Sequence, residues 1–241
     1  MTNQKVALIT GAASGIGLAV AEALRARGDQ VIGVDYQPAG TWIQADLASP
    51  AERKRVVDLA LKEFGQIDVL VNVAGIFRPT PIENSSPDDW QSVWSVNLEA
   101  PIHLMSLVFG SMKSQGFGRI VNITSVHSRF SRLDCLAYDV GKAGIEAATR
   151  SVALDGAEFG IIVNAVAPGF VRTAMSLNDD GVDEADTEKF QQVYVAEAKL
   201  PLKRAAHPSE IAETVRWLTG ESNSYTTGQV LTVDGGLTTT F

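Results

Sequence analysis

The chain has 241 residues, 45% of them hydrophobic and 20% charged, a mix that buries a core and excludes disordered, fibrous and disulfide-stapled proteins. Twenty Lys and Arg against 28 Asp and Glu leave a net charge of −8, with no basic patch to track a phosphate backbone or an anionic bilayer. Nucleic acid and membrane partners are therefore not expected. Cys135, the single cysteine, cannot close an intrachain disulfide and reads as a small apolar filler. No run approaches the ~18 apolar residues of a membrane span, and no basic leader precedes the first strand-like run, so a cytoplasmic protein is expected.

Apolar, β-branched runs alternate with segments of helical period. In chain order the sequence reads strand Lys5 to Thr10, helix Gly15 to Arg27, strand Gln30 to Asp35, strand Trp42 to Ala45 and helix Pro50 to Phe64. Strand Asp68 to Val73, helix Pro87 to Gln115, strand Arg119 to Thr124, helix Tyr138 to Phe159, strand Ile161 to Pro168, helix Pro208 to Thr219 and strand Val230 to Val233 follow. The strands are apolar throughout rather than at every second residue, as in a parallel sheet covered on both faces. The expected fold is α/β, a single-domain doubly wound parallel sheet of Rossmann-like type spanning 1–241. Tyr36 to Thr41 is too short for a normal parallel crossover, so an abbreviated, irregular one is expected at Pro38, Ala39 and Gly40. Thr173 to Leu200 is irregular and acidic, and reads equally as a solvated surface or a mobile lid.

The first strand runs into Thr10-Gly11-Ala12-Ala13-Ser14-Gly15-Ile16-Gly17 and then a helix. Glycines there let backbone N–H groups approach a pyrophosphate at the positive end of the helix dipole. The spacing is G-x-x-x-G-x-G, not G-x-G-x-x-G. Asp35 ends the second strand, where a carboxylate accepts both adenosine ribose hydroxyls and repels a 2′-phosphate; with no Lys or Arg in the turn or at Tyr36 and Gln37, NAD is expected over NADP.

Tyr138 and Lys142 lie four apart in a helical segment, which puts phenol and ammonium on one face. A phenol with its ordinary pKa of about 10 needs roughly 4 kcal/mol of phenolate stabilisation to act as a base near neutrality, and a lysine and a cationic nicotinamide both act in that direction. Ser125 follows the strand Arg119 to Thr124, at a carboxyl end where ligand crevices form, and its hydroxyl can hold a substrate oxygen while Tyr138 moves the proton. His103, His127 and His207 are too scattered to show metal-ligand spacing, so no metal is expected. There is no G-x-S-x-G elbow for a hydrolase, and the sequon Asn122-Ile123-Thr124 falls on a buried strand as a chance match.

Together these motifs resemble the short-chain dehydrogenase/reductase family along essentially the whole chain. Thr10 to Gly17 matches its glycine turn, and Asp46-Leu47 resembles its adenine-holding pair. Asn72-Val73-Ala74-Gly75 resembles N-N-A-G with Val73 in place of the second Asn, and Pro168-Gly169-Phe170-Val171-Arg172-Thr173 is similar to P-G-x-V/I-x-T. The resemblance implies a catalytic tetrad of Asn97, Ser125, Tyr138 and Lys142, with Asn97 anchoring a water that links Lys142 to solvent. It implies cofactor contacts at Gly11, Ser14, Gly15, Ile16, Gly17, Asp35, Asp46, Leu47, Asn72, Ala74, Gly75, Tyr138, Lys142, Pro168, Gly169, Val171 and Thr173, with Val171 and Thr173 meeting the carboxamide. It also implies a homotetramer paired through the Pro87 to Gln115 and Tyr138 to Phe159 helices.

The expected reaction is NAD-dependent interconversion of a secondary alcohol and a ketone. Arg78, His127 and Arg129, with Arg132 nearby, flank the candidate site and suit a small polar or anionic hydroxy compound such as a sugar, sugar acid or hydroxy acid, gripped by Ser125 and Tyr138. A dihydrodiol dehydrogenase and a non-catalytic NAD-binding protein are the alternatives.

Overall fold

The computed structural model describes residues 4–239. Strands β1 (Val6–Thr10), β2 (Gln30–Asp35), β3 (Ile43–Gln44), β4 (Val69–Asn72), β5 (Gly118–Ile123), β6 (Ile161–Pro168) and β7 (Val230–Val233) form one sheet. Their order is β3-β2-β1-β4-β5-β6-β7, and every neighbouring pair is parallel. The doubly wound α/β expectation is met.

The continuous apolar runs explain the layering. β1, β4 and β5 are buried along their whole length, and the two-residue period splits their side chains between two cores. Val6 and Leu8 pack on α2 (Pro50–Phe64) and, beyond β4, the sheet face meets α4 (Ala100–Gln115) through Leu104, Met105, Val108 and Met112. Ala7 and Ile9 face the other way, toward Val20 and Leu24 of α1 (Gly15–Arg27) and Ile211 and Val215 of α6 (Pro208–Leu218).

The crossover between β2 and β3 has no helix, and one indole fills the gap. Trp42 lies against Gly33 so closely that a Cβ there would sit 2.1 Å from its ring, and the Arg25 guanidinium stacks 4.3 Å from the ring centroid.

The expected helix from Pro87 to Gln115 is instead α3 (Pro87–Trp94), a single π turn (Ser95–Glu99) and α4. Pro101 has no N–H to return to the carbonyl of Asn97, so the regular ladder breaks there and Ala100 N bonds Ser95 O instead. The next helix, α5 (Leu136–Gly156), starts two residues earlier than expected because Thr80 Oγ1 accepts from Ala137 N at 3.0 Å and caps its first turn.

Gly33→Ala should destabilise the protein by about 1–3 kcal/mol, the range for overpacking a filled site, seen as a lower urea midpoint with an unchanged slope. An unchanged midpoint would mean that Trp42 does not do the work of the missing helix.

Candidate active site

Because the strands are parallel, their carboxyl ends share one edge, and the order reverses between β1 and β4, where a crevice opens. The glycine turn, Asp35, Asn72, Ser125 and the segment after Pro168 all leave the sheet at this edge.

The turn after β1 is pinned by Thr10, whose Oγ1 accepts from Val73 N at 3.0 Å and Ala74 N at 3.1 Å. Gly11 has φ +68° and approaches so closely that a Cβ would lie 3.0 Å from the Ala74 backbone; at Gly17 it would lie 2.0 Å from Gly11 O. Across the crevice, Thr173 reaches the turn, its methyl group 3.1 Å from where a Gly15 Cβ would be. Ser14 caps α1 by position but its side chain makes no cap bond, which leaves first-turn N–H groups for an anion. Ile16 packs at the edge of the α1 core.

Asp35 receives Ala13 N at 2.9 Å and Gln37 N at 3.0 Å, holding its carboxylate at the end of the turn. Asp46 accepts from Ala48 N, and Leu47 is buried beside it. Gly169 backs onto Asp234, and Val171 is fixed by backbone bonds from its neighbours to Ala206. The cradle fits a dinucleotide: glycines whose missing Cβ atoms let the turn close against Ala74, Gly11 and Thr173, first-turn helix donors without a side-chain cap, and a carboxylate for the ribose.

The Asn72 Nδ2 group donates to Asn122 Oδ1 at 2.8 Å, and Asn122 in turn donates to Thr149 Oγ1 at 3.0 Å. The sequon asparagine is thus fully buried in a polar chain joining β4, β5 and α5.

Ser125, Tyr138 and Lys142 come together. Lys142 Nζ lies 5.5 Å from the Tyr138 ring centroid while donating to Ile123 O at 2.9 Å. Burial pushes the Tyr138 phenol up to about 12; the nearby Ser125 hydroxyl pulls it back, and the Asp139 carboxylate adds to the rise. Burial also drives the Lys142 ammonium down to about 8. Gly75 leaves the gap between Lys142 and Asn97, a Cβ there falling 3.5 Å from Lys142 Nζ and 3.4 Å from Asn97 Oδ1.

Asn97 joins this group. Its side-chain amide clamps the Ile76 backbone at both ends, Oδ1 accepting from Ile76 N and Nδ2 donating to Ile76 O, each at 2.8 Å.

Of the histidine and arginines expected to flank the substrate, His127 meets Tyr138, ring edge to ring face at 5.6 Å. Arg129 turns to Glu146 on α5, Arg132 to Glu184, and the exposed Arg78 sets its charge near Asp89. The acidic stretch is anchored to the segment after β6. Phe190 and Tyr194 stack on Phe170 at 5.0 and 4.7 Å, and Arg172 binds Asp186 at 2.6 Å. Among the described residues no helix is long and apolar enough to cross a membrane.

The family described as enoyl-(acyl carrier protein) reductase matches residues 11–238. The 3-oxoacyl-(acyl-carrier-protein) reductase FabG of Salmonella typhimurium is 36% identical over 247 residues, covering 97% of each chain. The ligand-free aldohexose dehydrogenase of Thermoplasma acidophilum superposes with a TM-score of 0.89 at 31% identity, over 99% of this chain and 95% of that one. A gluconate 5-dehydrogenase structure from Beutenbergia cavernae with bound NADP, itself described as putative and NAD(P) dependent, gives 0.89 at 32%, over 98% and 97%.

The chain is a short-chain dehydrogenase/reductase. As in that family, it is an oxidoreductase of CH–OH and keto groups that binds a nicotinamide cofactor. Two supports of this reductase's site escaped the sequence reading. Arg53, 2% exposed, donates from α2 to Leu47 O, Ala48 O and Ser95 O, tying the loop after β3 to the π turn. Asp139 takes His127 Nδ1 at 2.8 Å. An arginine three residues into a helix carries no sequence mark of burial; Asp139, next to Tyr138, carried a signal in its position.

A charged Lys142 at pH 7 is opposed by roughly 3 kcal/mol, the difference between an ordinary lysine and one titrating near 8. This penalty lifts as pH rises from about 8 toward the ordinary lysine value, since there the unfolded chain holds the proton and the folded one does not. Lys142→Met should therefore melt at or above the wild-type temperature at pH 7 without cofactor, while losing turnover. A melting point several degrees lower would show that the ammonium stabilises the fold.

Proposed function

We propose that this reductase interconverts a secondary alcohol and a ketone using NAD, with Tyr138 as general acid/base, on a small polar hydroxy compound such as a sugar, sugar acid or hydroxy acid. The observation that carries the reading is the convergence of Ser125, Tyr138 and the buried Lys142 ammonium at the carboxyl edge of the sheet.

Ser125 would donate a hydrogen bond to the substrate oxygen, and Tyr138 takes that oxygen's proton in oxidation or returns it in reduction. Lys142 supplies positive charge that favours the phenolate, and Asn97 and Gly75 hold the floor beneath it. The nicotinamide, when bound, supplies hydride acceptance and donation and, in its oxidised form, a second positive charge. Gly11, Ser14, Gly15, Ile16 and Gly17 would hold its pyrophosphate; Asp46, Leu47, Asn72, Ala74 and Gly75 its adenosine side; Pro168, Gly169, Val171 and Thr173 its carboxamide. Asp35 supports NAD over NADP, because a buttressed carboxylate accepts ribose hydroxyls and repels a 2′-phosphate. The substrate class is supported by His127 against Tyr138 and by the sugar and gluconate dehydrogenases among the structural relatives. Assembly as a homotetramer belongs to the same reading.

Reduction of NAD+ should appear with polar secondary alcohols, and NADP+ should serve poorly; Asp35→Ser should narrow or invert that preference. Tyr138→Phe should lower kcat by about 100- to 10,000-fold with NADH binding largely kept. Full turnover in Tyr138→Phe, or equal use of NADP+ by the wild type, would overturn the assignment.

A further inference from the structure

We propose that His127, Cys135 and Asp139 form a reversible binding site for a thiophilic divalent cation of the Zn2+ class, and that its occupation inhibits the enzyme. Among the described residues these three bring an imidazole nitrogen, a thiol sulfur and a carboxylate oxygen within 4.8 Å of one another.

Two elements build the site. Cys135 and Asp139 stand one turn apart at the start of α5, Asp139 N donating to Cys135 O at 2.8 Å, so their side chains share a face. His127 comes from the short turn after β5 and places Nδ1 2.8 Å from Asp139 Oδ1. Around a tetrahedral zinc with bonds of about 2.0–2.3 Å, ligand atoms stand roughly 3.3–3.8 Å apart, so the cluster needs shifts on the order of 1 Å.

The chemistry of the donors selects the ion. Thiolate, imidazole and carboxylate suit zinc rather than magnesium or calcium. Thiolate and carboxylate together carry two negative charges, which a divalent ion cancels in a partly buried place, and the thiol proton is released on binding. Cys135 Sγ is 2% exposed at residue level and has one weak partner, Leu133 O at 3.3 Å, which a metal bond would replace. The His127 and Asp139 side chains, 24% and 13% exposed, give the ion its way in.

Inhibition follows from the neighbours. His127 N donates to Ser125 Oγ at 3.2 Å, its ring packs against Tyr138, and Asp139 follows Tyr138 in the chain. An ion that parts His127 from Asp139 and draws in Cys135 moves the two groups proposed to hold the substrate oxygen. The inhibition rests on the proposed function, but binding does not.

The test is a Co2+ titration of the reduced, chelator-treated full chain, read by absorbance. One equivalent should give a thiolate-to-cobalt charge-transfer band that Zn2+ bleaches and that is absent from Cys135→Ser. His127→Asn and Asp139→Asn should each weaken Co2+ binding by at least the roughly 10- to 100-fold that loss of an outer-shell partner costs. They decide the matter if circular dichroism shows Cys135→Ser unfolded. Zn2+ should suppress turnover of the wild type and spare Cys135→Ser. The absence of a charge-transfer band, His127 and Asp139 variants that bind Co2+ as the wild type does, or equal Zn2+ inhibition of Cys135→Ser overturns the proposal. If no alcohol or ketone is turned over at all, the functional reading fails and the absorbance titration still judges the site.

Discussion

A lysine ammonium held out of water by a single backbone carbonyl is the constraint around which this site is arranged. Lys142 Nζ meets Ile123 O, the last residue of β5, and that bond needs α5 to begin at the carboxyl edge of the sheet and to present its second turn inward. Thr80 fixes the start of α5 by capping it, and the π turn brings Asn97 to clamp Ile76, which sets the loop carrying Thr80. Gly75 then leaves room beside the ammonium. Each feature has a local cause, and each serves to keep a charge where water does not reach it.

The same burial sets the chemistry. In the protein alone it raises the Tyr138 phenol to about 12 and lowers Lys142 to about 8, so both groups are driven toward their neutral forms. A proton-transfer tyrosine in such a place is poised for donation; its use as a base calls for more positive charge than Lys142 provides. The glycine turn and Asp35 stand at the same carboxyl edge of the sheet as Ser125, and on the proposed function the positive charge of an oxidised nicotinamide would supply what the phenol lacks. On this account the fold builds an incomplete electrostatic site that its cofactor completes.

Much of this was legible in the sequence because it depends on short-range rules. Apolar runs separated by helical period gave the parallel sheet, the glycine turn and Asp35 fell at strand ends, and Tyr138 and Lys142 were paired by their spacing of four. The short connection after Asp35 was visible from its length, but not the packing of Trp42 on Gly33 that replaces a helix. The break at Asn97 had a signal in Pro101, weak because proline is tolerated near the start of a helix. What escaped was set by tertiary partners: Arg53 buried against three carbonyls, Arg129 turned to Glu146, and the acidic segment folded over Phe170 by Phe190 and Tyr194. Arg129 and Arg132, read in the sequence as flanking the substrate, pair with Glu146 and Glu184, partners too far along the chain for spacing to show.

The central claim is that burial keeps Tyr138 protonated until the oxidised cofactor binds. The direct measurement is the phenolate difference absorbance of the wild type minus Tyr138→Phe, followed against pH with and without NAD+. The account predicts no Tyr138 phenolate across the neutral and mildly alkaline range in the free protein, and its appearance in that range once NAD+ is bound. A phenolate already present near neutrality without NAD+, or a titration that NAD+ leaves in place, would contradict it.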